Sequence, residues 1–546
     1  MSPLPGPVAA RFRPVLSPFV LNALVATYLI AISNATFWGH LFRIFAGRTV
    51  TALVFAGAVW ALMMLVISLL AVRRAQKPVL VAMLVIAGVT SYYVDVLGVV
   101  VDREMIQNAM TTTFNESKHL ITLQFLTHVF LYGVIPAALV VWVRVRRATV
   151  LRGLAGTGLV AALSAALLVG LLFTNLKAYS PVLRGNKELM GAVQPLAPMA
   201  SALRYAKMMV KSSQIVLQPI GRDAKPGPLL AKLGKPVLMV IVAGETGRAQ
   251  NWSLSGYSRD TNPELAKRDI VYYSNATSCG TATATSLPCM FSPLTRAEYS
   301  YEGGIGNENL VDVLSTAGFK VEWWDNNTGS KNIADRVPSR FMKSEDGPEF
   351  CFPECIDAVF LKSLQQKADT ITENTVIVMH QIGSHGPSYW LRYPPEREIY
   401  KPTCQTPELT ECTTEQIVNA YDNTITYTDW FLAQLIDLLD KSDRVTPVMF
   451  YASDHGESLG EGGLYLHGTP FFMAPETQTR VPMVLWMSQR FRDSLSVDAD
   501  CLKSKAGDPT SHDNIFSTVL GLLDVTTTAK DPELDLAGAC RQAQTG

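Results

Sequence analysis

Three segments of the 546-residue chain place metal-ligating and acid–base side chains directly after an apolar run. Pro236-Val-Leu-Met-Val-Ile-Val-Ala243 leads into Gly244-Glu-Thr-Gly-Arg248. Thr375-Val-Ile-Val-Met379 leads into His380-Gln-Ile-Gly-Ser-His385-Gly-Pro387, and Pro447-Val-Met-Phe-Tyr-Ala452 into Ser453-Asp-His-Gly-Glu457. Glu245, Asp454 and His455 offer two carboxylates and an imidazole, a borderline-hard set suited to Zn²⁺ or Mn²⁺. Leu464-Tyr-Leu-His467-Gly adds an imidazole in a Gly-rich loop, so four of the eight histidines (His380, His385, His455, His467) lie in or just after these segments. Singly, each histidine reads more readily as a hydrogen-bonded structural residue; as a set they point to a metal site.

A nucleophile is also on offer. Thr277-Ser-Cys-Gly-Thr-Ala-Thr-Ala-Thr-Ser286 carries six hydroxyls in ten residues, followed by Leu-Pro-Cys-Met-Phe291. A threonine hydroxyl attacks well only once a base or a metal has removed its proton. The pattern leaves Thr281, Thr283 and Thr285 as equal candidates, and a helix-capping turn is the plainer use of such a segment.

The elements that must position these groups follow from the apolar runs. Short and rich in β-branched residues, the first of them bounded by Pro and Gly, they predict buried parallel strands. The stretch 414–439 has apolar residues at helical spacing. Strands alternating with helices predict an α/β domain with a mostly parallel sheet. In such sheets ligands sit beyond the carboxyl ends of the strands.

Upstream, the chain is built for another solvent. Only 17% of all residues are charged against a typical ~25%, 48% are hydrophobic, and the mean hydropathy is +0.17. Runs free of Asp, Glu, Lys and Arg cover 14–42, 49–72, 78–94, 119–143 and 153–176, predicting five transmembrane helices. Arg11, Arg13, Arg73, Arg74, Lys77, Arg144, Arg146, Arg147 and Arg152 fall on one side, the cytoplasm by the positive-inside rule. The opposite loops hold Arg43, Arg48, Arg103 and Lys118, offset by Asp102, Glu104 and Glu116. An odd number of spans then places everything after about 176 outside.

The net charge of zero conceals this split: residues 1–175 carry +9 and the remainder −9. Neutrality removes the electrostatic case for nucleic-acid binding. All eight cysteines lie between Cys279 and Cys540, as an exported, disulfide-bonded domain predicts. Proximity suggests Cys279–Cys289, Cys351–Cys355 and Cys404–Cys412, leaving Cys501 with Cys540, although eight cysteines allow 105 connectivities. The expected organisation is a transmembrane domain at 1–176, a linker at 177–230 and an exported catalytic domain at 231–546. Within the linker, 190–217 reads equally as an interfacial amphipathic helix or a plain connector.

Taken together, these blocks resemble the bacterial phosphoethanolamine transferases. Gly244-Glu-Thr with Arg248 and Tyr257-Ser-Arg-Asp-Thr-Asn262 is similar to their entry motif, and Ser278-Cys-Gly-Thr-Ala-Thr283 to their nucleophile segment. Asp325-Asn-Asn-Thr-Gly-Ser-Lys331, Gly383-Ser-His-Gly-Pro387, Asn419-Ala-Tyr-Asp-Asn423 and Ser453-Asp-His-Gly-Glu-Ser-Leu-Gly460 match further blocks. Gly247 and Thr328 stand where the family more often has Ala and Ser. The nearest resemblance is to the lipid A enzymes associated with polymyxin resistance.

The resemblance implies an alkaline-phosphatase/sulfatase-like fold and one zinc ion or two, held by Glu245, Thr283, Asp454 and His455. Thr283 becomes the nucleophile. Lys331, His385 and His467 fall on positions that contact substrate phosphate or a second zinc, and Asn108, Thr112 and Glu116 on the loop that receives the donor lipid. It further implies phosphatidylethanolamine as donor, lipid A as acceptor, and a monomer in the bacterial inner membrane with a periplasmic catalytic domain. A different envelope acceptor, such as a core sugar or a periplasmic glucan, is the alternative within the family. A membrane-anchored sulfatase or phosphodiesterase is the less favoured reading, the sulfatase because Leu287-Pro-Cys-Met lacks the C/S-x-P-x-R order. A transporter or sensor is disfavoured because Asp95 alone is charged within the spans.

Overall fold

The computed structural model describes residues 13–113, 117–146, 149–351 and 354–541. They form two compact units: 1–102 with 121–202, and 103–120 with 203–546.

The first unit is a helix bundle. Helices α1 (Pro18–Ile32) and α2 (Ala35–Ile44) precede α3 (Thr49–Leu70) and α4 (Gln76–Leu97). Among the described residues, four helical segments are long and apolar enough to cross a membrane: Thr49–Leu70, Arg73–Leu97, Leu123–Trp142 and Val150–Phe173. The first predicted span is instead broken, with α1 and α2 meeting at 68°. Counted as one span, the bent pair makes five. At 1.5 Å per residue, the 15 residues of α1 reach only about 22 Å. The break has a side-chain cause. Asn34 Nδ2 donates to the carbonyls of Leu29 (2.8 Å) and Gln194 (3.0 Å), and its Oδ1 accepts from Gln194 N (2.7 Å). Such bonding competes with the helical ladder. Elsewhere the spans pack through small residues: a Cβ on Gly88 of α4 would lie 2.8 Å from the Cα of Gly133. A parallel ladder pairs Val15 with Arg144 and Leu16 with Val145 at one end of the bundle.

The second unit begins with α5 (Arg103–Thr111) and resumes after residue 202. Its core is a sheet of β1 (Val237–Gly244), β2 (Ile270–Thr277), β3 (Lys320–Asp325), β4 (Ser339–Phe341), β5 (Thr375–His380), β6 (Thr446–Ser453), β7 (Arg480–Met487) and β8 (Thr510–Ser511). The order is β8-β2-β7-β6-β1-β5-β3-β4, parallel except for β7. The three predicted strands, β1, β5 and β6, are wholly buried and adjacent at its centre. Ala243 pairs with both His380 and Ala452, and His380 with Asp325, so four strands end in one row. Helix α6 (Thr414–Asp440) confirms the predicted long helix, started by a capping box between Thr413 and Gln416. All four expected disulfides form.

Composition placed boundaries at 176 and 230, whereas the compact units meet at 102/103, 120/121 and 202/203. The segment 190–217 contains a helix at Leu196–Ser212, with Leu203, Val210 and its basic residues exposed.

Candidate active site

Because β1 and β6 end in register, the next residues of each meet: Glu245 follows Gly244, and Asp454 and His455 follow Ser453. Ligand atoms of these three residues lie within 4.8 Å of one another, all buried. Glycine at 383, at φ +48°, lets the His385 loop press against this turn; a Cβ there would lie 2.6 Å from the Glu245 carbonyl. Ser384 N donates to that same carbonyl at 3.0 Å.

Thr283 is the first residue of α7 (Thr283–Met290), where the helix dipole favours developing negative charge. Its Oγ1 lies 3.2 and 3.1 Å from the two oxygens of Glu245 and 3.3 Å from His455 Nε2. The other hydroxyls of the segment are used otherwise: Thr281 donates to Thr469 O at 2.6 Å, Ser278 to Gly280 O at 2.6 Å, and Ser286 to Asp454 O. Thr285 lines a separate cavity. Of the three threonines that sequence pattern left open, Thr283 is the one whose hydroxyl bonds Glu245 and lies beside His455. Buried His512 ties this segment to the sheet, accepting from Cys279 N (3.0 Å) at Nδ1 and donating to Ser453 O (3.0 Å) from Nε2. Burial pushes its pKa down to about 3, so it stays neutral.

The donor set fits a divalent cation. Asp454 Oδ1 accepts from Thr246 N (3.1 Å) and His455 N (2.7 Å), while its buried Oδ2 has no hydrogen-bond partner among the described residues. His455 donates from Nδ1 to Gly456 O at 2.9 Å, which turns Nε2 toward the carboxylates, 3.3 Å from Glu245 and 3.4 Å from Asp454. Burial and the charge of Glu245 push Asp454 up to about 6. Burial opposes a charge on His455, but Asp454 and Glu245 outweigh it and raise it to about 10. For Glu245 burial acts upward, and the His380 and His455 imidazoles more than offset it, holding the carboxyl well below its usual range. The cluster therefore attracts positive charge, as metal ligands must.

Several supporting residues carry no sequence signal of this role. Asn327 Nδ2 donates to Glu245 Oε2 at 2.7 Å and lies 3.1 Å from His380 Nε2; His380 Nδ1 is 2.8 Å from Asp325. Glu457 accepts from Tyr389 OH (2.7 Å) and holds His467 Nδ1 (2.8 Å). The His467 ring lies 4.5 Å from that of His455 and 5.5 Å from that of His385, so the expected histidines converge. Lys331 Nζ donates to the carbonyls of Thr111 (2.9 Å) and Thr328 (3.1 Å).

The segment 103–120 joins the site from a distant part of the chain. Gln107 Nε2 donates to Ala284 O at 3.3 Å, which sets α5 against the nucleophile helix. Asn108 and Thr112 lie on this segment, joined by Thr112 Oγ1 donating to Asn108 O at 2.6 Å. Glu116 lies outside the described residues. The segment's far end is held by Glu354, which pairs with Lys118 (2.8 Å), His119 (3.1 Å) and Arg392 (2.6 Å).

Residues 59–210 match a family described as phosphoethanolamine transferase EptA/EptB, and residues 238–525 match the sulfatase family. The chain is 37% identical over 542 residues to phosphoethanolamine transferase EptA of Escherichia coli K12, covering 97% of this chain and 98% of that protein. It is also 37% identical over 532 residues to phosphatidylethanolamine transferase Mcr-1 of Escherichia coli, covering 94% and 96% respectively. Among solved structures, the integral membrane lipooligosaccharide phosphoethanolamine transferase A of Neisseria meningitidis superposes with a TM-score of 0.93 at 33% identity, covering 97% of this chain and 100% of that one. With a helical membrane unit, an alkaline-phosphatase/sulfatase-like unit, and a buried Glu245, Asp454 and His455 cluster that could hold a metal ion beside Thr283, this chain belongs to the phosphoethanolamine transferase family.

Proposed function

We propose that the chain is a zinc-dependent enzyme of the bacterial inner membrane, with its catalytic unit in the periplasm. It moves phosphoethanolamine from phosphatidylethanolamine to a phosphate of lipid A through a phosphoethanolamine ester on Thr283. The observation that carries this reading is the Thr283 hydroxyl lying within 3.3 Å of both Glu245 and His455. The family membership supports the group transferred, and the name of the meningococcal relative supports a lipid-borne saccharide acceptor. The confinement of cysteines to the catalytic unit supports the oxidising compartment.

Glu245, Thr283, Asp454 and His455 would hold the zinc, which when bound makes a threonine hydroxyl nucleophilic at neutral pH and draws charge from phosphoryl oxygens. The protein's own groups do the rest. The Thr283 hydroxyl donates toward Glu245, which aims its oxygen lone pairs away from the carboxylate. Attack forms the Thr283 Oγ1–P bond and breaks the bond from phosphorus to the diacylglycerol oxygen, which takes a proton as it leaves. His467, oriented by Glu457 through Nδ1, has Nε2 to exchange that proton, and His385 stands beside it. Lys331 supplies positive charge for the phosphoryl oxygens, with its ammonium steered by the Thr111 and Thr328 carbonyls. In the second half an acceptor phosphate oxygen attacks phosphorus, and Thr283 regains its proton. The added ammonium lowers the net negative charge of lipid A, which weakens its attraction for cationic peptides such as polymyxin. Asn108, Thr112 and Glu116 would contact the donor lipid. The enzyme would work as a monomer.

Thr283→Ala removes the nucleophile while keeping the fold. Lipid A from cells expressing this variant should show no phosphoethanolamine adduct by mass spectrometry, whereas wild-type lipid A should. An adduct at wild-type abundance from the variant would refute the mechanism. Adducts from the wild type on core sugar or glucan, with unmodified lipid A, would redirect the acceptor.

A further inference from the structure

The bundle end carrying the basic connections also carries a cavity with no part in phosphoethanolamine transfer. It measures about 760 Å³ and lies among the beginnings of α1, α4 and the Val150–Phe173 span and the ends of α3 and the Leu123–Trp142 span. Arg13, Arg73, Arg74, Arg144, Arg146 and Arg152 line it, together with Lys77. Among the described residues no Asp or Glu lines it. Lys77 Nζ is committed to backbone, donating to Val141 O at 2.7 Å and to Val143 O.

The floor is polar and buried within the helices: Asn22, Ser68 and Gln76 are 7%, 1% and 3% exposed. Gln76 Nε2 donates to Asn22 Oδ1 (2.8 Å) and Pro18 O (2.9 Å). The walls include apolar Phe19, Leu159 and Val160. The backbone that carries two of the arginines is also fixed in place. Arg144 N donates to Pro14 O and Arg146 N to Leu16 O, both at 2.9 Å. Arg144 and Arg146 are two residues apart, so they share a face of this extended segment.

Membrane sidedness alone accounts for basic loops, and it is served equally by lysine and arginine. It requires neither a cavity nor a ladder that presents two arginines together. Six arginines to one lysine matches phosphate recognition, where the planar guanidinium fork binds two oxygens at once. A volume of this size suits a small-molecule ligand. Basic pockets between spans on the cytoplasmic side are suited to anionic lipid headgroups.

We propose that this cavity binds an anionic phospholipid, its phosphodiester among the arginines and its acyl chains along the apolar wall. This ligand differs from the zwitterionic donor and sits in the membrane unit, so the inference does not rest on the catalytic reading.

Native mass spectrometry of the full chain in neutral detergent, titrated with phosphatidylglycerol or phosphatidylcholine of matched chains, tests it. Retention of phosphatidylglycerol should exceed that of phosphatidylcholine about tenfold or more. Arg73→Gln/Arg144→Gln/Arg152→Gln should weaken it roughly a hundredfold, at about fivefold per charge. Thr157→Trp, which fills the cavity and leaves every charge, should lower it as well. Arg43→Gln/Arg48→Gln, away from the cavity, should leave it unchanged. Equal retention of the two lipids, unchanged retention in both cavity variants, an equal loss in the distant pair, or displacement by inorganic phosphate would each overturn the proposal.

Discussion

Asp325 touches no reacting group, yet it steadies the carboxylate on which the nucleophile leans. It anchors His380 at 2.8 Å, and His380 with Asn327 faces Glu245. Replacing it by Asn keeps the shape and removes the charge that raises His380 to about 10. Asp325→Asn should lower zinc affinity about 10–100-fold, as loss of a ligand's supporting partner generally does. Zinc retained by the full chain against graded chelator measures this, and wild-type retention would remove Asp325 from the role. Glu245, Asp454 and His455 are legible in sequence because ligand types at the ends of β-branched runs declare themselves. The supporting roles of Asp325, Asn327 and His512 are not, because a residue that orients another by a contact dozens of positions away has no local signature.

At the scale of elements, α6 carries a group with a pH signature. Asp429 accepts from Glu264 N and Leu265 N at 2.9 Å each, fastening a short turn to the helix. Burial pushes its pKa up to about 7, above its value in the unfolded chain. The folded chain then holds a proton that the unfolded chain releases, so this contribution to stability is complete below pH ~4 and is lost as pH rises to about 7. Thermal unfolding of Asp429→Asn relative to wild type should show a difference that grows in favour of the variant from pH 4 to 7 and then levels off. A constant difference would contradict the assignment.

The segment 103–120 depends on one carboxylate in the same way. A hydrogen bond from His119 and the charges of Arg392 and Lys118 hold Glu354 well below the usual carboxylate range even though burial opposes it. Glu354→Gln leaves nearly buried Arg392 without its partner and should cost about 3 kcal/mol. It should also raise the donor-lipid KM more than it lowers kcat. Lys118→Ala, at the exposed side, should cost under ~1 kcal/mol. Equal effects of the two variants on stability and KM would exclude Glu354 as the anchor. The strands and α6 are legible because their periodicity is uniform over whole elements. The break between α1 and α2 is not, since one asparagine bonded to Gln194 produces it inside an otherwise apolar run.

Over the whole molecule, opposite charge imbalances of +9 and −9 predict that the two parts of the chain face different compartments. A cysteine introduced at exposed Ala75, between α3 and α4, should react with a membrane-impermeant maleimide only after the inner membrane is opened. One at exposed Lys441, after α6, should react in intact spheroplasts. The reverse pattern would invert the topology. Composition separates an apolar part from a polar one but is blind to a short connection claimed by residues far ahead. That is why 103–120 reads as an ordinary loop between spans.

The same connection imposes an order on synthesis. Its partners Ala284, Lys331, Glu354 and Ser388 all lie more than 150 residues downstream. At about 5–20 residues per second, roughly 8–35 s separate the emergence of residue 120 from that of Ala284, the first of these partners. Throughout that interval the nascent chain exposes a segment that nothing yet made can hold, which makes it the natural point of attack for envelope proteases and the natural client for a chaperone on that face of the membrane.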